Sequence, residues 1–153
     1  MDLVVDANIL FASLIKDGPP PIVLSIRPQY AEAIFSGKKT VEFRKASFPK
    51  RVCNMVLYAT APVKRIVGIV KVKAVVVLSP EGAWRRYRKR GAIDKEAFDA
   101  YYAGAKKAVC LEIGKVRRLA EPVDPKTVIR GFQAPQSFRY LDIESLPIRL
   151  RTR

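Results

Sequence analysis

From residue 22 onward the apolar and polar positions alternate in two rhythms. Residues 22–26 (IVLSI) form an apolar run of strand length. Pro28 suits a first helical turn, Tyr30, Ala33 and Ile34 recur at helical spacing, and Gly37 supplies the stop. Residues 39–44 (KTVEFR) then alternate with period two, placing Val41 and Phe43 on one face and Thr40, Glu42 and Arg44 on the other. Before this regular part, residues 3–15 (LVVDANILFASLI) read as a short strand and a helical turn. Pro19, Pro20 and Pro21 remove amide donors and lock φ, so residues 19–21 read as a linker and residues 1–18 as an extension that the fold can spare.

Residues 52–60 and 65–78 are β-branched runs parted by a proline-containing turn, the pattern of a hairpin, with Gly68 marking a bulge or corner. Ser79, Pro80 and Glu81 open a helix that reaches Gly91. Asp94 caps a second helix, which carries Phe98, Tyr101 and Tyr102 and stops near Gly104. Residues 107–119 return to strand, and the proline-spaced remainder is irregular or edge structure. Helices do not follow every strand, so the predicted class is α+β: a small β-barrel with a short helix after its first strand and two helices inserted between later ones. No GxGxxG or phosphate loop supports nucleotide binding by that route.

The 153 residues make about one domain. Lys and Arg outnumber Asp and Glu by 29 to 14, a formal charge of +15, which favours a polyanionic partner and nucleic acid first. No apolar run approaches a membrane span, no basic n-region opens the chain, and a cytoplasmic location is expected. The chain has no His and two cysteines. That excludes Ser-His-Asp, Cys-His and zinc-hydrolase chemistry, leaves no metal site or cofactor to expect, and makes Cys53 and Cys110 small core residues. Nothing in the pattern sets an oligomeric state.

The segment SGKKTVEFRK holds Gly37, Lys39, Glu42 and Arg44 in the spacing G-x-K-x-x-E-x-R. Together with LSIRPQYAEAIFSGKKTVEFRK, YATAPVKRIVG and APQSFRYL, it resembles the ASCH family across residues 22–141. The resemblance implies a PUA-like barrel over residues 22–142 and a cleft whose proposed ligand is RNA or a modified nucleoside, while the composition of residues 143–153 reads as a basic tail. Lys39 and Arg44 can hold phosphate or a base edge, and Glu42 can accept from a base amine or tie down a cation. Proton transfer by Lys39 or Glu42 requires that they be partly buried. The plain alternative is a solvated salt-bridge ladder. Some family members resemble amidohydrolases acting on N4-acetylcytidine. Here Lys39 falls on their lysine, but Glu42 stands where they carry threonine, and Glu81, Glu96 and Glu112 are unassigned candidates for their carboxylate.

Trp84, Arg85, Arg86, Tyr87, Arg88, Lys89 and Arg90 interleave aromatics with cations on one predicted helix, suited to phosphate contact and base stacking. Alternatively, Trp84 and Tyr87 pack inward while the cations face water. Two consecutive short helices also permit a helix-turn-helix transcriptional regulator, although the second begins acidic. Gln136, Ser137 and Arg139 are candidates to line the same cleft, with barrel closure by Phe138 and Tyr140 as the alternative. The opening LVVDANILFASLI resembles the start of a PIN-domain nuclease, with Asp6 on its first metal-binding carboxylate. One aspartate is too little for such a site. The favoured function is an RNA-binding module, with DNA less favoured and the amidohydrolase and regulator as alternatives.

Overall fold

All five residues of the strand Ile22–Ile26 are buried, because strands flank both its edges and side chains cover both its faces. In the computed structural model the described residues are 18–142, the backbone of 3–5, and Phe11, Leu14 and Leu146. In chain order they form β1 (Leu3–Val5), β2 (Ile22–Ile26), α1 (Pro28–Phe35), β3 (Val41–Arg44), β4 (Asn54–Ala59) and β5 (Arg65–Leu78). Then follow α2 (Pro80–Tyr87), α3 (Lys95–Tyr101), β6 (Ala108–Val123), a 3-10 turn (Pro125–Thr127) and β7 (Phe138–Tyr140).

The seven strands make one mixed sheet in the order β1-β6-β5-β4-β2-β7, with β3 also beside β6. β6 has 16 residues and so carries three neighbours. β5 lies along one edge, β3 pairs with residues 109–112 and β1 with residues 117–119 on the other. The β1–β6 and β2–β4 pairs are parallel and the rest antiparallel. Register shifts at Leu57/Tyr58 and at three places along β5 bend the long ribbon. The result is a half-barrel of the small PUA-like α+β kind. Gly68 sits at such a bend as predicted: a Cβ there would come within 2.7 Å of the Arg117 carbonyl and 2.8 Å of the Phe35 ring.

The three helices predicted after residue 27 form, although α2 ends at Tyr87 and does not reach Gly91, and the helical turn read before the prolines lies largely outside the described residues. Ser79 Oγ accepts from the Gly82 amide to cap α2, and Asp94 accepts from the Ala97 amide to cap α3. α1 ends where Gly37 turns at φ +83°. Its fully buried face is Ala31, Ile34 and Phe35, one position around from the predicted Tyr30, Ala33 and Ile34, because Phe35 fills the space left open at Gly68.

Strand alternation divides the core between the faces of the sheet. Ile22, Leu24, Met55 and Leu57 pack beneath α1 with Ile34 and Phe35. Val23, Val56 and Ile66 face the other way and meet Phe11, Leu14 and Leu146. A third cluster joins Val41 and Phe43 to Ala83, Tyr87, Phe98 and Tyr102.

Two expectations change here. The prolines turn the chain without detaching what precedes them: β1 extends the sheet, Phe11 is 0% exposed and Leu14 8%. Likewise Leu146, within the predicted tail, is fully buried. Asp6 and Arg153 lie outside the described residues. Cys53 and Cys110 are free thiols, but only Cys110 is fully buried, and burial pushes its thiol up to about 11.

Candidate functional site

The turn at Gly37 places the Lys39 amide 2.9 Å from the Ala33 carbonyl, which locks the start of β3 against the end of α1. The Thr40 and Val41 amides both donate to the Arg90 carbonyl, so the connection between α2 and α3 docks onto the same strand. From this junction the Lys39 side chain runs inward and is only 3% exposed. Its Nζ donates to the Gly91 carbonyl at 2.8 Å and lies 3.1 Å from Glu42 Oε1. The Tyr30 and Phe43 rings stand 5.1 and 5.6 Å from the ammonium, within cation–π range.

Alternation along β3 puts Glu42 and Arg44 on one face, as predicted, yet that face is not a solvated ladder. Glu42 is 5% exposed and the Arg44 side chain 12%. Both carboxylate oxygens are engaged: Oε1 by Lys39, and Oε2 by Arg44 Nε at 2.7 Å and Nη2 at 2.6 Å. Burial alone would raise the Glu42 pKa, but the Lys39 ammonium and the Arg44 guanidinium outweigh it and hold the carboxyl below its usual range. Arg44 also donates to the Ser25 carbonyl at 2.9 Å and to Ser137 Oγ at 3.3 Å. Its guanidinium is therefore largely committed inside the protein rather than presented bidentately.

These three residues line a cavity of about 570 Å³, a usual size for a small-ligand site. Ser25, Arg27 and Tyr30 form one side. Ala97, Ala100 and Tyr101 of α3 form the other, and Gln136 completes the lining. Tyr101 is held edge-on against Tyr102, with the Lys45 ammonium 4.6 Å from its ring. Tyr102 in turn donates to the Arg44 carbonyl.

The other predicted residues go to different places. Ser137 joins the site through Arg44 and through its carbonyl, which accepts from the Ser25 amide. Arg139 is not among the cavity's lining residues. It stacks 5.8 Å from the Phe132 ring, because alternation on β7 turns it away from Phe138 and Tyr140. The arginines of α2 and of the turn after it part company. Arg86 pairs with Glu112 at 3.7 Å and Arg90 donates to Thr40, while Arg85 and Arg88 line a second cavity.

Tyr87 packs inward, fully buried, and donates to Glu112 at 2.6 Å; burial and that bond push its pKa up to about 12. Trp84 is half-buried against Phe98. On α3, Phe98 packs in the core, and Ala97, Ala100 and Tyr101 line the cavity. Glu81, Glu96 and Glu112 do not line the Lys39 cavity, where Glu42 is the one carboxylate among the described residues.

Sequence reasoning missed Ser25, Tyr30 and the α3 wall. Ser25 was signalled as the lone polar residue of an apolar strand, and Ala97 and Tyr101 by their shared helix face.

The ASCH domain family model matches residues 24–121. The chain belongs to the ASCH domain family. An ASCH domain-containing ribonuclease from Zymomonas mobilis is 33% identical over 126 residues, spanning 78% of this chain and 82% of that protein. A crystal structure of ASCH from Zymomonas mobilis matches with a TM-score of 0.75 at 32% identity, covering 82% of this chain and 90% of that one. The large ribosomal subunit protein uL22 of Ureaplasma parvum is 31% identical over 121 residues, which are 78% of this chain but 39% of uL22. The ASCH likeness thus extends over the β2-to-β6 framework that builds the cavity. Among the described residues no group of three or more His, Cys, Asp or Glu could hold a metal ion, and no helix is long and apolar enough to cross a membrane.

Proposed function

We propose that this ASCH-domain protein binds single-stranded RNA and seats one nucleotide unit in the Lys39 cavity. The observation that carries the reading is the Lys39 ammonium, 3% exposed, in a nucleotide-sized cavity that also holds two tyrosines. An ammonium has three donors; two directions are taken by Gly91 and Glu42, leaving one for a phosphate or 2′-hydroxyl oxygen. The 2′-hydroxyl is what separates RNA from DNA at such a site. Tyr30 and Tyr101 supply faces for a base, and the exposed Arg27 at the cavity meets a neighbouring phosphate. Glu42 acts as the counter-ion that fixes Lys39 and Arg44, since both its oxygens are committed. The +15 charge of the chain and the name of the Zymomonas ribonuclease both support RNA as the ligand class.

The test is polarisation of a labelled single-stranded RNA across a salt series. Affinity falls steeply with salt, Arg27→Gln lowers the slope of log affinity against log salt by about one, and Lys39→Met weakens binding at least tenfold. A flat salt dependence, or full affinity in both variants, overturns the reading. Arg27 is exposed, so its replacement keeps the test valid even if Lys39→Met melts early.

The name of the Zymomonas relative favours cleavage of the bound strand as a second reading, with Lys39 steadying negative charge on the reacting phosphate. Shortened products on a gel, lost in Lys39→Met, support it; an intact strand leaves binding alone. N4-acetylcytidine should remain unchanged, because the lone carboxylate of the cavity is tied up in ion pairs.

A further inference from the structure

Helix α3 separates two cavities. Ala97, Ala100 and Tyr101 face the Lys39 cavity, whereas Lys95, Asp99 and Tyr102 face another of about 530 Å³. At 100° per residue these sets lie on opposite sides of the helix, so the cavities are separated by about one helix diameter, ~10–12 Å. The far side of the second cavity is α2, which contributes Trp84 and Arg85, with its C-terminal capping residue Arg88. Positions 84 and 88, and 85 and 88, are neighbours on a helix surface, so aromatic and cations share one face.

We infer that this second cavity takes a further nucleotide of the same RNA strand, its phosphate held by Arg85 and Arg88 and its base stacked on Trp84. The assignment rests on the RNA-binding reading above. Charge matches the ligand: Arg85, Arg88 and Lys95 stand against Glu81 and Asp99, and Lys95 already neutralises Asp99 at 2.8 Å. That leaves one net positive charge for one phosphodiester. Trp84 is braced by Phe98 at 5.1 Å, and the Lys95 ammonium lies 5.6 Å from its ring, where a base would take its place. Arg86 and Arg90, engaged with Glu112 and Thr40, have no part in it.

Trp84 is the single tryptophan of the chain, so fluorescence excited at the red edge, where tyrosine does not absorb, reports on this cavity alone. The full chain is titrated with an eight-nucleotide single-stranded RNA while polarisation of a label on the RNA follows total binding. Binding quenches Trp84, and the double variant R85Q/R88Q loses the quench and at least tenfold in affinity. The charge-matched control K71Q/K126Q, which changes two exposed lysines outside both cavities, keeps the quench and loses less affinity.

RNA binding that depends on Lys39 but leaves Trp84 fluorescence unchanged overturns this inference and spares the first. Equal losses in the two double variants overturn it as well, since the attraction would then be diffuse. No RNA binding at all removes both.

Discussion

Arg44 on β3 donates from Nη2 to the backbone carbonyl of Ser25 on β2 at 2.9 Å, although β3 and β2 are not paired in the sheet. Both edges of β2 are taken by β4 and β7, so a side chain rather than a ladder of backbone bonds ties β3 to it. The same guanidinium holds Glu42, and Glu42 holds Lys39. Closure of the sheet and shaping of the cavity are therefore one arrangement.

The first prediction follows from that strut. Arg44→Met leaves Glu42 buried with one cation and leaves the Ser25 carbonyl without its donor. Removing one partner of a buried ion pair costs about 3–5 kcal/mol, so the denaturant midpoint should drop sharply. The double variant E42Q/R44M should lose clearly less than the two single losses added together, because each single variant already forfeits the Glu42–Arg44 interaction, which the double variant loses only once. Additive losses would show that the two residues are not coupled.

The pH dependence has a definite sign. Glu42 is held below its ordinary value of 4.5 in the folded chain, so the unfolded chain takes up the proton first. Its stabilisation is complete above pH 4.5 and is lost as pH falls through the lower folded value. Glu112 is shifted the same way, chiefly by the bond from Tyr87. The comparison is therefore between wild type and Glu42→Gln, in which Glu112 is common. Below pH 4.5 the wild-type stability should fall more steeply than that of the variant. Parallel curves would mean that Glu42 titrates normally.

Much of this arrangement was legible in the sequence. Period-two alternation over residues 39–44 put Glu42 and Arg44 together, and Ser79 and Asp94 announced the starts of α2 and α3. Burial was not legible, because K-x-x-E-x-R on a strand reads the same whether water or a helix lies over it. What covers it is α3, about fifty residues later, and its Ala97 and Ala100 carry no chemical mark of a cavity wall. The arginines from 85 to 90 read as one helical stripe, yet α2 ends at Tyr87, and positions 85 and 88 diverge from 86 and 90 once Glu112 and Thr40 take the latter pair. The proline run misled in the opposite direction: it fixes local geometry and says nothing about where Phe11 packs.

Gly91 is a close-approach glycine. A Cβ there would collide with Cε2 of Phe43 and lie 3.0 Å from its Cζ. Phe43 cannot retreat freely, since Phe98 stands edge-on at 5.1 Å and Tyr87 at 6.4 Å. Gly91→Ala should therefore destabilise by about 1–3 kcal/mol, the usual range for overpacking. The Gly91 carbonyl also receives Lys39, so RNA affinity should weaken in the folded variant. A thermal melt with an RNA titration below it checks both, and an unchanged melt would show that the ring has room to move.

The last prediction concerns the segment before the prolines. Phe11 is 0% exposed and packs in one cluster with Val23, Val56, Ile66 and Leu146, so it fills the core on the face of the sheet away from α1. Truncating a buried Phe to Ala costs about 3–5 kcal/mol, a large share of the ~5–15 kcal/mol of a typical domain. Phe11→Ala should lower the denaturant midpoint by a corresponding amount. A chain beginning at Pro20 should lose more, since it also removes Leu14 and the pairing of β1 with β6. RNA affinity should change little while Phe11→Ala remains folded, because the Lys39 cavity draws none of its lining from this cluster. A shortened chain that unfolds at the same denaturant concentration as the full chain would show that residues 1–18 add nothing to the fold.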